Sequence, residues 1–367
     1  MDYSQKLNYH YKTKKGWVND PNGLVYFDGY YHIFYQHTPD SENPFKQPMH
    51  WGHTRTKDFI NYEELPVALY PDMPYDNGGC WSGTAIVRDD TLYLFYTAIY
   101  TPEGTNEKNQ TICVAYSKDG INFEKYENNP VIRNYPSDGG PDFRDPAVSY
   151  IDDKFYLVIA TGNPESQKGR LLLYNSEDMF VWDYKGIMAE WDNTKFTECP
   201  SFMQTGEKCL LSASVCPIGK PHYFSIMYGS FKNGLFTIEN VGQIDKGPDQ
   251  YAGQIFKDPK GRCILITWIP GWSYIDYQEK DVGCMSVPRE IYMKDGKIYG
   301  YPVEEVWHLL KDTDPSVQIT DDGFIIQRTN REPVKHTGEV KDLKILRDGF
   351  ILEVFVNCGE TIYTVLL

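Results

Sequence analysis

Five times along this chain a short acidic or hydroxyl-bearing motif stands just ahead of a strand-like run. Asp20-Pro21-Asn22-Gly23 leads into LVYFDG and YYHIFYQ, and Ser82-Gly83-Thr84 leads into AIVRDD and LYLFY. Asp145-Pro146-Ala147 runs to a turn at Asp152-Asp153 and on to FYLVIA. Glu198-Cys199-Pro200 runs to Thr205-Gly206, and Asp249-Gln250-Tyr251 runs to Asp258-Pro259-Lys260-Gly261. The starts lie 62, 63, 53 and 51 residues apart. A repeat of that period, built from short strands and tight turns, predicts a five-bladed β-propeller. If each unit begins with the innermost strand of a blade, the five lead residues face one axial funnel. Four of those five are carboxylates.

The rest of the chain agrees with an all-β fold. Runs such as YHIFYQ, TICVAYS, RLLLYNS and CILITWI are short, rich in β-branched and aromatic residues, and bounded by Asp-Gly, Asn-Gly or Asp-Asp turns. Helical periodicity is confined to VEEVWHLLK, which reads as a connector. The expected organisation is a propeller over residues 1–303, a linker over 304–312 and a short, reduced β-sandwich-like module over 313–367. That module is too small to stand alone, so it should lean on the propeller or complete itself in a homodimer. Its final strand, ending Val365-Leu366-Leu367, would be an open apolar edge if nothing covered it.

Composition narrows the partners. A formal net charge of −15 disfavours nucleic acid and anionic membranes, so a neutral small molecule or oligosaccharide is the expected partner. No stretch approaches ~18 continuous apolar residues, and the first residues carry no apolar leader core, so a cytoplasmic location is expected. The eight cysteines are scattered without a CxxC pair, which suits reduced thiols and gives no support to a metal site; no cofactor is expected.

Two carboxylates facing one cavity are the minimum equipment for glycoside hydrolysis. Asp20, Asp145 and Glu198 are the candidates. Arg144 lies beside Asp145 in sequence and would keep it ionised, whereas Glu198 has no cation next to it. Crowding by other carboxylates would raise the pKa of Glu198, as a general acid requires. On flanks alone, Asp20 or Asp145 is the ionised member and Glu198 the proton donor.

Trp17-Val18-Asn19-Asp20-Pro21-Asn22-Gly23 resembles the signature of glycoside hydrolase family 32, the β-fructosidases. The resemblance continues through Phe34-Tyr35-Gln36, Trp51-Gly52-His53, Trp81-Ser82-Gly83, Phe143-Arg144-Asp145-Pro146, Glu198-Cys199-Pro200, Asp249 to Ala252 and Pro288-Arg289-Glu290, and ends weakly at LEVFVN. It implies a retaining enzyme in which Asp20 attacks the fructosyl C2, Glu198 acts as acid and then base, and Asp145 with Arg144 holds the fructose hydroxyls. The carboxyl groups of Asp20 and Glu198 should then lie roughly 5–5.5 Å apart. Asn19, Gln36, Trp51, Trp81 and Ser82 match positions lining the fructose subsite. Asp249 and Tyr251 match the fifth-blade motif, with Gln250 where an aromatic is usual, and Trp268 and Trp272 are further candidate sugar platforms. The family's C-terminal sandwich is represented here by only a short segment.

The resulting expectation is an enzyme that releases fructose from sucrose, short fructo-oligosaccharides or fructans. A sucrose-6-phosphate hydrolase would need His, Lys or Arg on the pocket rim, which the acidic balance disfavours. A fructosyltransferase would use the same carboxylates, and a non-catalytic carbohydrate-binding propeller would require one of them to be lost.

Overall fold

The computed structural model describes residues 6–272 and 283–367. Its strands form consecutive antiparallel sheets. The first is β1 (Trp17–Phe27), β2 (Tyr30–Thr38), β3 (His50–Thr56) and β4 (Tyr62–Leu69), paired in that order. The second is β5 (Gly79–Arg88), β6 (Thr91–Tyr100), β7 (Asn109–Ser117) and β8 (Glu124–Lys125). The third is β9 (Asp142–Ile151), β10 (Lys154–Asn163), β11 (Lys168–Ser176) and β12 (Asp183–Asp192). The fourth is β13 (Thr194–Thr205), β14 (Lys208–Pro217), β15 (Tyr223–Lys232) and β16 (Leu235–Gly242). The fifth is β17 (Tyr251–Lys257), β18 (Cys263–Ile269), β19 (Cys284–Met285), β20 (Arg289–Lys294) and β21 (Lys297–Pro302), with β18 pairing both β19 and β20.

The hairpins turn where the sequence predicts them. At Asp28-Gly29, Asp89-Asp90, Asp152-Asp153, Asn233-Gly234 and Asp295-Gly296 both turn residues have positive φ. That geometry matches strand twist, and Asp, Asn and Gly reach it at little cost. Apolar clusters then fill the spaces between neighbouring sheets: Phe34 and Trp51 against Leu94 and Tyr96, Phe95 and Ile112 against Leu157 and Leu172, Val158 and Leu173 against Phe202 and Leu211, Phe224 and Ile226 against Ile255 and Leu265. The fifth sheet meets the first through Ile264 and Ile266 packed with Ile33 and Tyr35.

Polar side chains latch the lead strands together. Thr84 Oγ1 donates to Pro146 O at 2.9 Å and accepts from Val148 N at 2.9 Å, and Ser201 Oγ accepts from Ile255 N at 2.9 Å. Gln254 reaches two other sheets, accepting from Leu24 N at 3.2 Å and donating to Gly83 O at 3.0 Å.

After a 3-10 turn at Glu304–Leu309 come two three-stranded sheets, β22 (Val317–Thr320), β23 (Gly323–Ile326) and β24 (Val334–Thr337), then β25 (Leu343–Asp348), β26 (Ile351–Val356) and β27 (Thr361–Leu366). They share one apolar cluster that includes Phe324, Ile345, Val354 and Val365. The outer edge of β27 is not open: Ile362 exchanges backbone bonds with Ile244 and Lys246, and Asp249 N donates to Thr364 O. Beneath this seam lies a buried ionic network. Arg289 meets Asp245 at 2.7 Å and Glu353 at 3.0 Å, and His10 meets Asp348 at 3.0 Å and Glu353 at 3.1 Å.

Candidate active site

Each lead strand breaks register at its motif: at Val18/Pro21 and Asn22/Val25 in β1, Trp81/Gly83 in β5, opposite Val158/Ala160 in β9, Glu198/Ser201 in β13 and Tyr251/Gln254 in β17. Four bulges put one residue at positive φ: Gly23 (53°), Asp145 (60°), Cys199 (47°) and Ala252 (52°). Only the first is a glycine, and bulges of this kind re-aim side chains. Aligned on these bulges, the residues just ahead are Asn22, Arg144, Glu198 and Tyr251, with Ser82 ahead of Gly83. The structural repeat therefore differs from the one read on lead residues. Asp20 arrives through the extra bulge in β1, and Asp249 falls three residues short of its bulge.

The bulges surround a cavity of about 770 Å³ whose walls include Asn19, Asp20, Gln36, Trp81, Ser82, Arg144, Asp145 and Glu198. Asp20 accepts from Ser82 Oγ at 2.8 Å and from Asn19 Nδ2 at 3.0 Å, while Asn19 Oδ1 is held by Trp17 Nε1 at 2.6 Å. The Asn22 carboxamide bridges Ser82 Oγ at 3.3 Å and Gln36 Nε2 at 2.9 Å. Asp145 accepts from Cys199 N at 2.9 Å, and its own N–H donates to Thr97 Oγ1 at 2.8 Å. Cys199 Sγ lies 3.5 Å from Asp20 Oδ2 and 3.7 Å from Asp145 Oδ2, so the thiol bridges two carboxylates.

Arg144 corrects the reading made from flanking residues. Its guanidinium reaches Glu198 Oε1 (Nη2 at 3.1 Å, Nε at 3.3 Å) and Asp142 Oδ1 at 2.7 Å, and lies 4.5 Å over the ring of Phe196. The bulge at Asp145 breaks simple alternation, so Arg144 and Asp145 line the same cavity, yet the cation hydrogen-bonds a carboxylate from the next sheet instead of its neighbour in sequence. Burial pushes Glu198 up, but Arg144 and the hydroxyl of Tyr251 outweigh it and hold the carboxyl below its usual range. Burial drives Asp145 up to about 7 despite Arg144, with the charges of Glu198 and Asp20 adding to the rise. Asp20 is raised as well, by burial and then by Glu198. Of the three, Glu198 is the carboxyl held down, and Asp20 and Asp145 are the ones pushed up.

Four predicted sugar contacts sit elsewhere. Trp51 is wholly buried behind the wall, donating from Nε1 to Trp81 O at 3.0 Å. Trp268 is also wholly buried, edge-on to Trp17 and Trp272, and Trp272 is the ring of the pair that faces the cavity. Asp249 is buried against Arg328 at 2.5 Å and accepts from Leu366 N at 2.8 Å, tying the fifth sheet to the C-terminal module. Tyr251, 2% exposed, donates to Glu198 Oε2 at 2.5 Å. Gln250 is buried and absent from the cavity wall, with no hydrogen-bond partner for Oε1 among the described residues.

Sequence reasoning passed over Phe45, Lys46, Gln47, Lys108, Phe196 and His222, which also line the wall. Three of the connections supplying them, 39–49, 101–108 and 218–222, are longer than a tight turn demands. That excess length at one end of the sheets was the available signal. Lys108 Nζ sits 5.0 Å over the ring of Trp81. Among the described residues no group of three or more His, Cys, Asp or Glu could hold a metal ion, and no helix is long and apolar enough to cross a membrane.

The glycosyl hydrolases family 32 N-terminal domain matches residues 10–302. The chain belongs to glycoside hydrolase family 32. It is 33% identical over 321 residues to a sucrose-6-phosphate hydrolase of Zymomonas mobilis, covering 81% of this chain and 62% of the relative. It is 33% identical over 323 residues to a raffinose invertase of Escherichia coli, covering 84% of this chain and 66% of the relative. The chain thus spans slightly under two thirds of the length of these curated relatives. Among solved structures, a family 32 β-fructofuranosidase of Bombyx mori superposes with a TM-score of 0.85 at 27% identity, over 99% of this chain and 89% of that one. A mutant of the same enzyme has been solved in complex with sucrose.

Proposed function

We propose that the chain is a retaining β-fructosidase, carried on a closed five-bladed propeller that is braced by a reduced C-terminal sandwich. The observation that carries this reading is the convergence of Asp20, Asp145 and Glu198 on one cavity, each fixed by donors from a different sheet. Gln254, linking the fifth sheet to the first and second, supports the closed ring.

In the first step a carboxylate oxygen of Asp20 bonds to the anomeric carbon as the glycosidic bond breaks. Glu198 gives its proton to the departing oxygen. In the second step the Glu198 carboxylate takes a proton from water, and the hydroxyl displaces Asp20. The proton that starts the cycle belongs to the carboxylate cluster as a whole. Arg144 and Tyr251 favour the Glu198 carboxylate, which is the form the second step uses. Asp145, on the wall of the same cavity, accepts hydrogen bonds from fructosyl hydroxyls in this reading.

Sucrose and short β-fructosides fit a cavity of this size with Trp81 and Trp272 on its wall. Lys46, Lys108 and His222 on the same wall favour a second reading, a disaccharide carrying a phosphate on its leaving sugar. Incubation with sucrose, sucrose 6-phosphate, inulin and levan, with NMR of the first-formed anomer, tests both. Retention of configuration and loss of fructose release in Asp20→Ala are expected. Full activity in that variant would refute the assignment of the nucleophile.

A further inference from the structure

Both oxygens of the Glu198 carboxyl are occupied. Oε1 faces Arg144, and Oε2 receives the hydroxyl of Tyr251 at 2.5 Å. The Tyr251 oxygen also lies 2.8 Å from the sulfur of Cys216, and that sulfur lies 3.5 Å from Oε2 itself. Cys216 stands on β14 and Tyr251 on β17, so the contact joins the fourth sheet to the fifth. Both residues are buried, Cys216 to 1% exposure. The ring of His222 covers Tyr251 at 5.3 Å between centroids.

A phenol has one hydrogen and can give it to one acceptor. Beside a thiolate or an acceptor sulfur, Tyr251 would be divided between two partners. Burial, with the charge of Glu198 next to it, pushes the Cys216 thiol far up, so the sulfur carries its hydrogen and is a donor. The sulfur has two acceptors in reach, the phenol oxygen at 2.8 Å and Glu198 Oε2 at 3.5 Å; giving its hydrogen to the nearer one leaves the phenol hydrogen for Glu198 Oε2, so the two shortest contacts each receive one hydrogen.

We infer that Cys216 is a positioning residue for the acid/base carboxyl: its thiol commits the hydroxyl of Tyr251 to Glu198. This rests on the acid/base reading of Glu198 above. The groups that face this carboxyl are Arg144 and Asp145 from β9, Asp20 from β1, Cys199 from β13, Cys216 from β14, Tyr251 from β17 and His222 from the β14–β15 connection. Of these, Arg144 and Tyr251 donate to Glu198, and the sulfur of Cys216 lies 3.5 Å from its Oε2.

The test is a ¹³C-carboxyl NMR titration of Glu198, which needs no turnover, beside pH profiles of kcat/KM. Removing a donor from an ionised carboxyl raises its midpoint. Tyr251→Phe should raise the Glu198 midpoint by about one pH unit. Cys216→Ala and the bulkier Cys216→Val should raise it by a smaller amount, and Cys216→Ser, which still donates, should stay at the native value. The alkaline limb for sucrose should follow the same order. An aryl β-fructofuranoside with a good leaving group should be indifferent, because its departure needs no proton. A native Glu198 midpoint in both Cys216→Ala and Cys216→Val would overturn the inference. If native protein releases no fructose from any fructoside, the functional reading fails while the titration still decides the contact.

Discussion

His10 clamps three parts of the chain, and its charge makes that clamp dependent on pH. The residue precedes β1, and its ring nitrogens meet Asp348 on β25 and Glu353 on β26. Asp348 also accepts from the backbone N–H groups of Asn8, Tyr9 and His10. Burial works against a charged imidazole here, but the two carboxylates more than offset it and raise His10 from 6.5 to about 9. A raised pKa in the folded state is stability that is complete below the unfolded value of 6.5 and is lost as pH climbs through about 9. At 1.36 kcal/mol for each unit, the clamp is worth about 3 kcal/mol. Seen from Asp348, lowered from 3.8 to about 2, the figure is nearer 2 kcal/mol. The figures overlap and are not summed: His10 is raised by Glu353 as well as Asp348, and Asp348 is lowered by the backbone N–H groups of Asn8 and Tyr9 as well as by His10. Urea unfolding of the native protein and of His10→Gln, each at pH 6.5 and about pH 9.5, isolates the effect, because every other titrating group is common to both. The native protein should lose about 2–3 kcal/mol more than the variant between the two pH values. Equal losses would refute the charged clamp.

Three other outcomes follow from the same geometry. Gln254→Ala leaves the backbone groups of Leu24 and Gly83 without their bonds, and should cost about 2–4 kcal/mol by chemical denaturation; a native midpoint would mean that the ring does not depend on this side chain. Asp249→Ala removes the carboxylate met by Arg328 and Arg331, and should cost about 3–5 kcal/mol while leaving KM for fructosides unchanged in the folded fraction. A raised KM with native stability would return Asp249 to the sugar site. If a phosphorylated disaccharide is the substrate, Lys46→Ala and Lys108→Ala should each raise KM for it about tenfold and leave KM for sucrose alone; equal effects on both sugars would remove the phosphate reading.

Much of the fold was legible because it is local. A turn such as Asp28-Gly29 or Asn233-Gly234 is chosen by two residues and their access to positive φ, so each strand pair announces itself within ten residues. The acidic motifs were visible for a similar reason, since Asp20 and Glu198 each lie inside a short recognisable string. Arg144 shows where that legibility ends. Its neighbour in sequence is Asp145, but its partner is Glu198, a residue 54 positions on and brought close only when the third and fourth sheets pack. Trp51, Trp268 and Asp249 show the same limit. Their residue types suit a sugar site, and only the packing of neighbouring sheets put them behind the wall or at the seam.

The amino-acid order by itself determined the hairpins and the sequence of short strands, and it set Asp20, Asp145 and Glu198 within the leading strands of three sheets, since short-range backbone preference and hydrophobic alternation act within a few residues. Tertiary structure alone decided the register of the bulges, the pairing of Arg144 with Glu198, the covering of the β27 edge and which carboxyls are pushed up and which is held down. Those outcomes depend on burial and on charges contributed by different sheets, and neither exists until the sheets meet.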